Sequence, residues 1–466
     1  METVASEFKS IELDHSLFEV QVDGVQIWER LRFDVFAQIT RQNGRGESHT
    51  SVDRGWQAYA RGAILFGKNL VYKNPYFANE SDILYLGMRR RKEREDGYWW
   101  DIYCDPIHEA CDYDYIHFEE PYLLEHKSPA RTTNLRYLDL ITVLGELQQL
   151  VSSEPTIPAA DRATLKAAEE VIQTTFGAEI DLVSMAREEL HDRRTTLPLY
   201  RLLLDRVDPE LVVVMASYGR ETFIEACKTQ EIPVVELQHG VIYDNHFGYS
   251  YPGPRTKETF PDYLLTFGEF WTKSADFPIP DSHVIPVGYP YLEQSANAYD
   301  GVESTEQLLF ISQGTIGEGL SKFAVAVDQH PQISHDVVYK LHPGEYDRWQ
   351  SEYPWLAEAD IDVIDSSEPA LYQLFAESTG QVGVYSTAIY EGLYFGLETY
   401  LYDHPDGETL HALLDDGVAT QVSSADQLGE ALDSETGQFD SNRYFAPNAT
   451  DRICETIATL RAKHQQ

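Results

Sequence analysis

The sequence predicts an α/β protein built from two doubly wound parallel sheets. Short, wholly apolar runs such as Leu211-Val212-Val213-Val214-Met215 and Leu308-Leu309-Phe310-Ile311 recur along the chain, the pattern of strands buried on both faces. Nearly every run stops at glycine, proline or a cluster of polar residues, and helical periodicity fills the intervals. At 466 residues the chain also exceeds what a single core comfortably serves.

Taken in order, residues 13–40 open with Leu17–Val20 and Val22-Asp23-Gly24-Val25, whose Asp-Gly pair predicts a hairpin turn before an amphipathic helix. Asp82–Leu86 reads as a strand closed by Gly87, and Tyr113–Phe118 as another. Between them lies Arg89-Arg90-Arg91-Lys92, the compact basic cluster of the chain, either a solvated loop or a contact for an anionic acceptor or lipid headgroup. Residues 135–205 read as largely helical, with a break at Ser152–Pro158. Strands follow at 211–215, 233–237, 263–267 and 283–287; the polar stretch Glu293–Thr305 marks a linker. A second set runs through 308–312, 336–341, 361–364, 381–385 and 398–402. These boundaries give an acceptor-side domain over 1–298 with a helical and β extension, a donor-binding domain over 299–445, and a helix at 446–466 that packs back on the first domain.

Composition narrows the function. Asp and Glu total 77 against 36 Lys and Arg, a net charge of −41, with Arg outnumbering Lys roughly two to one and the acid spread along the chain. Such a surface suits a high-salt cytoplasm, where charges are screened within about 3 Å in molar salt, and reads as that of a halophilic archaeon or, alternatively, of a merely acidic mesophilic enzyme. It disfavours binding to nucleic-acid backbones. The four cysteines, Cys104, Cys111, Cys227 and Cys454, form no CxxC and complete no zinc pattern with histidine, so reduced thiols and no structural metal are expected. Asp112-Tyr113-Asp114 has the letters of a DxD motif but opens a strand, so no obligatory metal or cofactor is expected. No signal peptide and no bilayer-spanning run are recognised, which predicts a cytoplasmic enzyme, at most peripheral to the membrane.

The chemistry concentrates at strand ends. Val337-Val338-Tyr339-Lys340-Leu341 ends in His342-Pro343, where proline stops the strand and fixes the direction of the imidazole. Val382-Gly383-Val384-Tyr385 ends in Ser386-Thr387, which caps a helix carrying Glu391. Gly314 and Thr315 open a loop where backbone can approach a ligand. Open α/β sheets bind ligands at the carboxyl ends of strands, where helix N-termini offer N–H groups to phosphate. Hydroxyls and a histidine there suit a nucleotide mono- or diphosphate.

Gln238-His239-Gly240, Val287-Gly288-Tyr289-Pro290, Lys340-Leu341-His342-Pro343 and Tyr385-Ser386-Thr387 occur in one order over roughly residues 205–405. In this the chain resembles the capsule and teichoic-acid polymerase group, including CDP-glycerol glycerophosphotransferases, and the bacterial polysialyltransferases that use CMP-sialic acid. It departs from the teichoic-acid enzymes at Gln238, where they carry an aromatic residue, and at Tyr291, where they carry Arg. The resemblance implies a GT-B architecture, two Rossmann-like doubly wound domains facing a central cleft. It also implies an inverting, metal-independent transferase that builds a surface polysaccharide or glycan. Its substrates are a nucleotide-activated sugar or polyol, CMP/CDP-linked in preference to UDP/GDP, and a glycan or lipid-linked acceptor. Under that reading His239 is the base, His342 with Ser386 and Thr387 holds the donor phosphate, and the Gly314-Thr315 loop lies against the donor. Lys340 either neutralises the phosphate or is turned away from it by its alternating position in the strand. Glu391 meets the ribose, and Asp244 and His246 are acceptor-side candidates. Two alternatives stand beside it. A non-hydrolysing UDP-N-acetylglucosamine 2-epimerase shares the Ser-to-Glu spacing of Ser386–Glu391, and a non-catalytic GT-B scaffold needs no base.

Overall fold

The structure, a computed structural model, describes residues 2–43, 56–89, 91–253, 255–314, 316–404, 410–434 and 439–464. The chain divides into two compact units, one of Leu292–Pro447 and one formed by Thr3–Tyr291 with Asn448–Gln466.

The N-terminal unit holds a seven-stranded sheet of β1 (Ile83–Leu86), β2 (Tyr115–Glu119), β3 (Leu135–Tyr137), β4 (Leu211–Met215), β5 (Val234–Leu237), β6 (Tyr263–Thr266) and β7 (Val284–Pro286). The spatial order is β7-β6-β5-β4-β1-β2-β3, and every pairing is parallel. The order reverses between β1 and β4, where Ile83 pairs with Leu211. That reversal opens a crevice at the carboxyl ends of the two strands. Arg220 fills it, donating to the Leu86 and Gly87 carbonyls at 2.8 and 2.9 Å.

The C-terminal unit repeats the plan with β8 (Gln307–Ile311), β9 (Asp336–Lys340), β10 (Asp362–Ile364), β11 (Gly380–Gly383), β12 (Glu398–Tyr402) and β13 (Ala419–Val422). Its order is β10-β9-β8-β11-β12-β13, again all parallel, with the reversal between β8 and β11. Two doubly wound, Rossmann-like units are the domain make-up of the GT-B class. Apolar side chains cover both faces of the N-terminal sheet, with Leu84, Leu86, Val212 and Val214 in one core and Ile83, Tyr85 and Val213 in another. Leu308, Phe310, Tyr339, Val382 and Tyr400 form a core of the C-terminal unit.

Some elements follow the sequence expectation and others depart from it. The residues before Leu17 form a helix, Glu2–Asp14, whose Phe8 is fully buried. The predicted hairpin is present as Gln21–Val22 against Val25–Gln26, with Asp23 and Gly24 at φ of 52° and 79°. Leu135–Tyr137 falls in the stretch read as helical but is an edge strand, held by pairing with β2 at Leu135–His117. β13 leaves no mark in the sequence, because Ala419-Thr420-Gln421-Val422 buries only its last residue and carries no apolar run. The expected linker begins instead within a helix, Pro290–Asn297.

The four-thiol expectation is corrected. Cys111 and Cys454 form a disulfide across 343 residues of sequence, while Cys104 and Cys227 are free and buried. The bond fastens the Ala449–His464 helix beside the Asp105–Ala110 helix, where Ile453, Ile457 and Leu460 pack on Ile107, Tyr85 and Val213. Arg461 pairs with Glu210 and, at 3.0 Å, with Asp82. No helix among the described residues is long and apolar enough to cross a membrane.

Candidate functional site

In the C-terminal unit, strand order does the gathering. β8 lies between β9 and β11, so the turn at Ser312–Gly314 emerges between His342, just after β9, and Ser386, just after β11. Thr315, expected in that turn, lies outside the described residues. Gln313 Oε1 is buried without a hydrogen-bond partner among the described residues.

His342 is half-buried and starts a short turn, Pro343–Glu345, as a capping box. Its Nδ1 accepts the Gly344 N–H at 3.1 Å, and its own N–H donates to Glu345 Oε2 at 2.8 Å. Because Nδ1 accepts, the neutral ring carries its proton on Nε2, which is therefore a donor. Glu345 is fully buried, and its Oε1 also accepts from Ser312 at 3.1 Å and Tyr353 at 2.8 Å. Gly317 is required here, since a Cβ would stand 2.0 Å from the Tyr353 hydroxyl and 2.5 Å from Glu345 Oε1.

Ser386 Oγ accepts the Ala388 N–H at 3.2 Å and caps the Thr387–Tyr394 helix. Thr387 and Glu391, four residues apart, share one face of that helix, and both are half-buried. Lys340 donates its ammonium to the Ser366 carbonyl and lies 5.6 Å from the centroid of the Tyr346 ring. A cavity of about 870 Å³ in this unit opens instead at the amino edge of the sheet, lined by Glu306, Thr379 and Glu398, and no candidate residue borders it.

In the N-terminal unit His239 follows β5 and faces the loop after β4. Its Nε2 lies 3.1 Å from the Tyr218 hydroxyl and its Nδ1 3.4 Å from the Tyr249 hydroxyl. Tyr249 donates to Oε1 of Glu236, a fully buried carboxylate that also accepts the Ser217 N–H at 3.1 Å. Counting protons assigns the ring. Tyr249 has one proton and gives it to Glu236, so His239 Nδ1–H donates to Tyr249, and Nε2 is left as the acceptor that Tyr218 meets. Burial, then repulsion from Arg220, pushes the His239 pKa down to about 4 rather than leaving it near its ordinary value. The ring is neutral throughout the neutral range. Burial raises the Glu236 pKa, partly offset by its bonds from Tyr249 and Ser217.

The other acceptor-side candidates have different surroundings. His246 stacks on Phe33 and accepts the Gly248 N–H at 3.3 Å, and burial drives its pKa to about 3. It touches the rings of Tyr218 and Tyr249 and so belongs to the same aromatic wall as His239. Asp244 is exposed, pairs with Lys9 at 2.8 Å and accepts from Ser250 at 3.2 Å. In the basic cluster, Arg89 pairs with Glu120 and Arg91 is buried against Glu119 and Thr132. Lys92 lies 5.3 Å from the Tyr291 ring centroid, and Arg90 is outside the described residues.

Sequence reasoning passed over Glu236, Tyr249, Tyr218 and Glu345. Two had a signal. Glu236 interrupts Val-Val-Glu-Leu, a strand with no exposed face, and Glu345 stands three residues after His342 as a capping partner does.

No family model matches the chain, and no curated protein matches it. Among solved structures, UDP-GlcNAc 2-epimerase from Methanocaldococcus jannaschii is similar at 11% identity and a TM-score of 0.47, covering 81% of this chain and 99% of that one. The wall teichoic acid polymerase TagF is similar at 10% identity and TM-score 0.44, covering 89% and 100%. Acinetobacter baumannii MurG is similar at 10% identity and TM-score 0.46, covering 81% and 99%. At these values none of them bears on the chemistry of this chain.

Proposed function

We propose that this chain is a GT-B transferase that uses a nucleotide-activated sugar or polyol to extend a cell-surface glycan. One observation carries the reading: the β9-β8-β11 order sets the Nε2–H of His342, the Gly314 turn and the Ser386-capped helix along one carboxyl edge, at the strand-order reversal. A phosphate placed there meets an imidazole donor, a hydroxyl pair and helix N–H groups together. Glu391, one turn into the helix, binds the ribose hydroxyls in this reading.

His239 supplies the base. Its Nε2 lone pair is oriented by the Tyr249–Glu236 pair behind it, and Tyr218 occupies that lone pair until an acceptor hydroxyl replaces it. A ring with a pKa near 4 is a weak base, and an anion brought close to it raises that value. The resemblance that the His-Gly, His-Pro and Ser-Thr motifs carry favours a CMP- or CDP-linked donor over a UDP- or GDP-linked one.

Calorimetry with CMP, CDP, UDP and GDP in molar KCl tests the proposal on wild type and His342→Ala. Micromolar binding of CMP or CDP, lost in the variant, supports it. UDP binding favours the epimerase reading, and no binding of any nucleotide favours a scaffold.

A further inference from the structure

We infer that Asp101, Cys104 and His117 form a binding site for a divalent transition-metal ion of the zinc type, in the N-terminal unit and independent of the donor reading. All three side chains are fully buried or nearly so, and one ligand atom from each lies within 4.8 Å of the others. Their origins differ. Asp101 follows the Lys92–Glu93/Trp99–Trp100 hairpin, Cys104 precedes the Asp105–Ala110 helix, and His117 stands in the middle of β2.

The decisive atom is His117 Nε2. It is buried, has no hydrogen-bond partner among the described residues, and points at Asp101 Oδ2 from 3.6 Å. Its other nitrogen, Nδ1, meets His108 Nε2 at 3.1 Å. If Nδ1 holds the proton and donates to His108, the Nε2 lone pair faces a carboxylate oxygen, which is repulsive. If Nε2 holds the proton, 3.6 Å is beyond a hydrogen bond. Neither tautomer satisfies the atom, whereas a cation between it and the carboxylate does. Two donors each about 2.1 Å from a tetrahedral ion stand roughly 3.4 Å apart, close to the separation found.

The surroundings fit as well. His108 takes the place of the outer partner that metal-bound histidines use to fix their tautomer. Asp101 is fixed in turn by the N–H groups of Met88, Tyr103 and Cys104 at 2.9, 3.1 and 3.1 Å. Gly87 leaves the histidine its room, because a Cβ there would stand 2.1 Å from Nε2. A thiolate, an imidazole and a carboxylate together select zinc over magnesium or calcium. On binding, the Cys104 S–H gives its proton to solvent and the thiolate takes the ion, with no change of oxidation state. The ion would tie β2 to the hairpin and helix that cover β1.

The test is metal content of the intact protein, by plasma mass spectrometry after dialysis and by absorption after loading the stripped protein with Co²⁺. About one equivalent of Co²⁺ with a thiolate charge-transfer band is expected, lost in Cys104→Ala and His117→Gln and kept in Cys227→Ala. His108→Ala is expected to bind about 10–100-fold more weakly. Should Cys104→Ala or His117→Gln fail to fold, the wild-type Co²⁺ spectrum and the His108→Ala titration decide. Wild type that takes up no Co²⁺, or a band that survives in Cys104→Ala, overturns the proposal and leaves Asp101 as a cap of its own turn.

Discussion

Glu345 holds His342 in its orientation: the carboxylate accepts the His342 N–H at 2.8 Å and thereby closes the turn whose Gly344 N–H occupies the ring's Nδ1. Since the same carboxylate also accepts from Ser312 and Tyr353, truncating it orphans three donors in the core. Glu345→Ala is expected to cost about 3 kcal/mol of stability, read by denaturant unfolding in molar KCl. Nucleotide affinity should fall at least about tenfold in the folded fraction. Unchanged affinity would mean that the turn does not aim the histidine at the nucleotide.

The Tyr249–His239 contact makes a prediction about a single proton. Nitrogen-detected NMR of histidine-labelled protein, with His239→Ala to assign the resonance, should show His239 as the Nδ1–H tautomer. Tyr249→Phe should mix the two tautomers, because it removes the acceptor. An Nε2–H tautomer in wild type would show that Tyr249 does not orient the ring.

Acid should unfold the N-terminal unit through its neutral histidines. His239 has a folded pKa of about 4, and His108 and His246 of about 3, each chiefly through burial, against about 6.5 unfolded. A lowered histidine pKa means that the unfolded state binds the proton first. Their contribution is therefore complete above about pH 6.5 and is lost as pH falls toward 4. His239→Gln should flatten that limb of a stability–pH curve, and an equally steep limb in the variant would rule the ring out as a source.

His126 should act with the opposite sign. Burial works to lower its pKa, but hydrogen bonds to Asp139 at 3.0 Å and Glu119 at 2.7 Å prevail and raise it. The stability it adds is present below the unfolded pKa of about 6.5 and is lost as pH rises through the higher folded value. His126→Gln should cost stability at pH 6 and less at pH 9, read by urea midpoints. A cost that grows toward pH 9 would contradict the pairing.

The Cys111–Cys454 bond should be worth about 2–4 kcal/mol. Cys454→Ser, or reductant on wild type, should lower the unfolding midpoint alike. A midpoint indifferent to both would argue against the bond.

What the sequence discloses here follows from what each contact depends on. Strands such as Leu211–Met215 and Gln307–Ile311 are legible because burial on both faces demands an unbroken apolar run. His342 and Ser386 are legible because strand termination is local chemistry. Leu135–Tyr137 escapes because an edge strand is held by its neighbour rather than by its own composition. The bond between Cys111 and Cys454, and the approach of His117 to Asp101, join residues that only the finished topology brings together.

That the Ala449–His464 helix belongs to the N-terminal unit has a consequence for biosynthesis. The apolar stripe of Ile453, Ile457 and Leu460 leaves the ribosome after the whole of Leu292–Pro447, so the unit begun first is completed last. Its partner can fold while still tethered, whereas the surface of Ile107 and Tyr85 stays uncovered until translation has passed the second sheet. Nascent chains stalled between the two units should therefore recruit holdase chaperones to that surface.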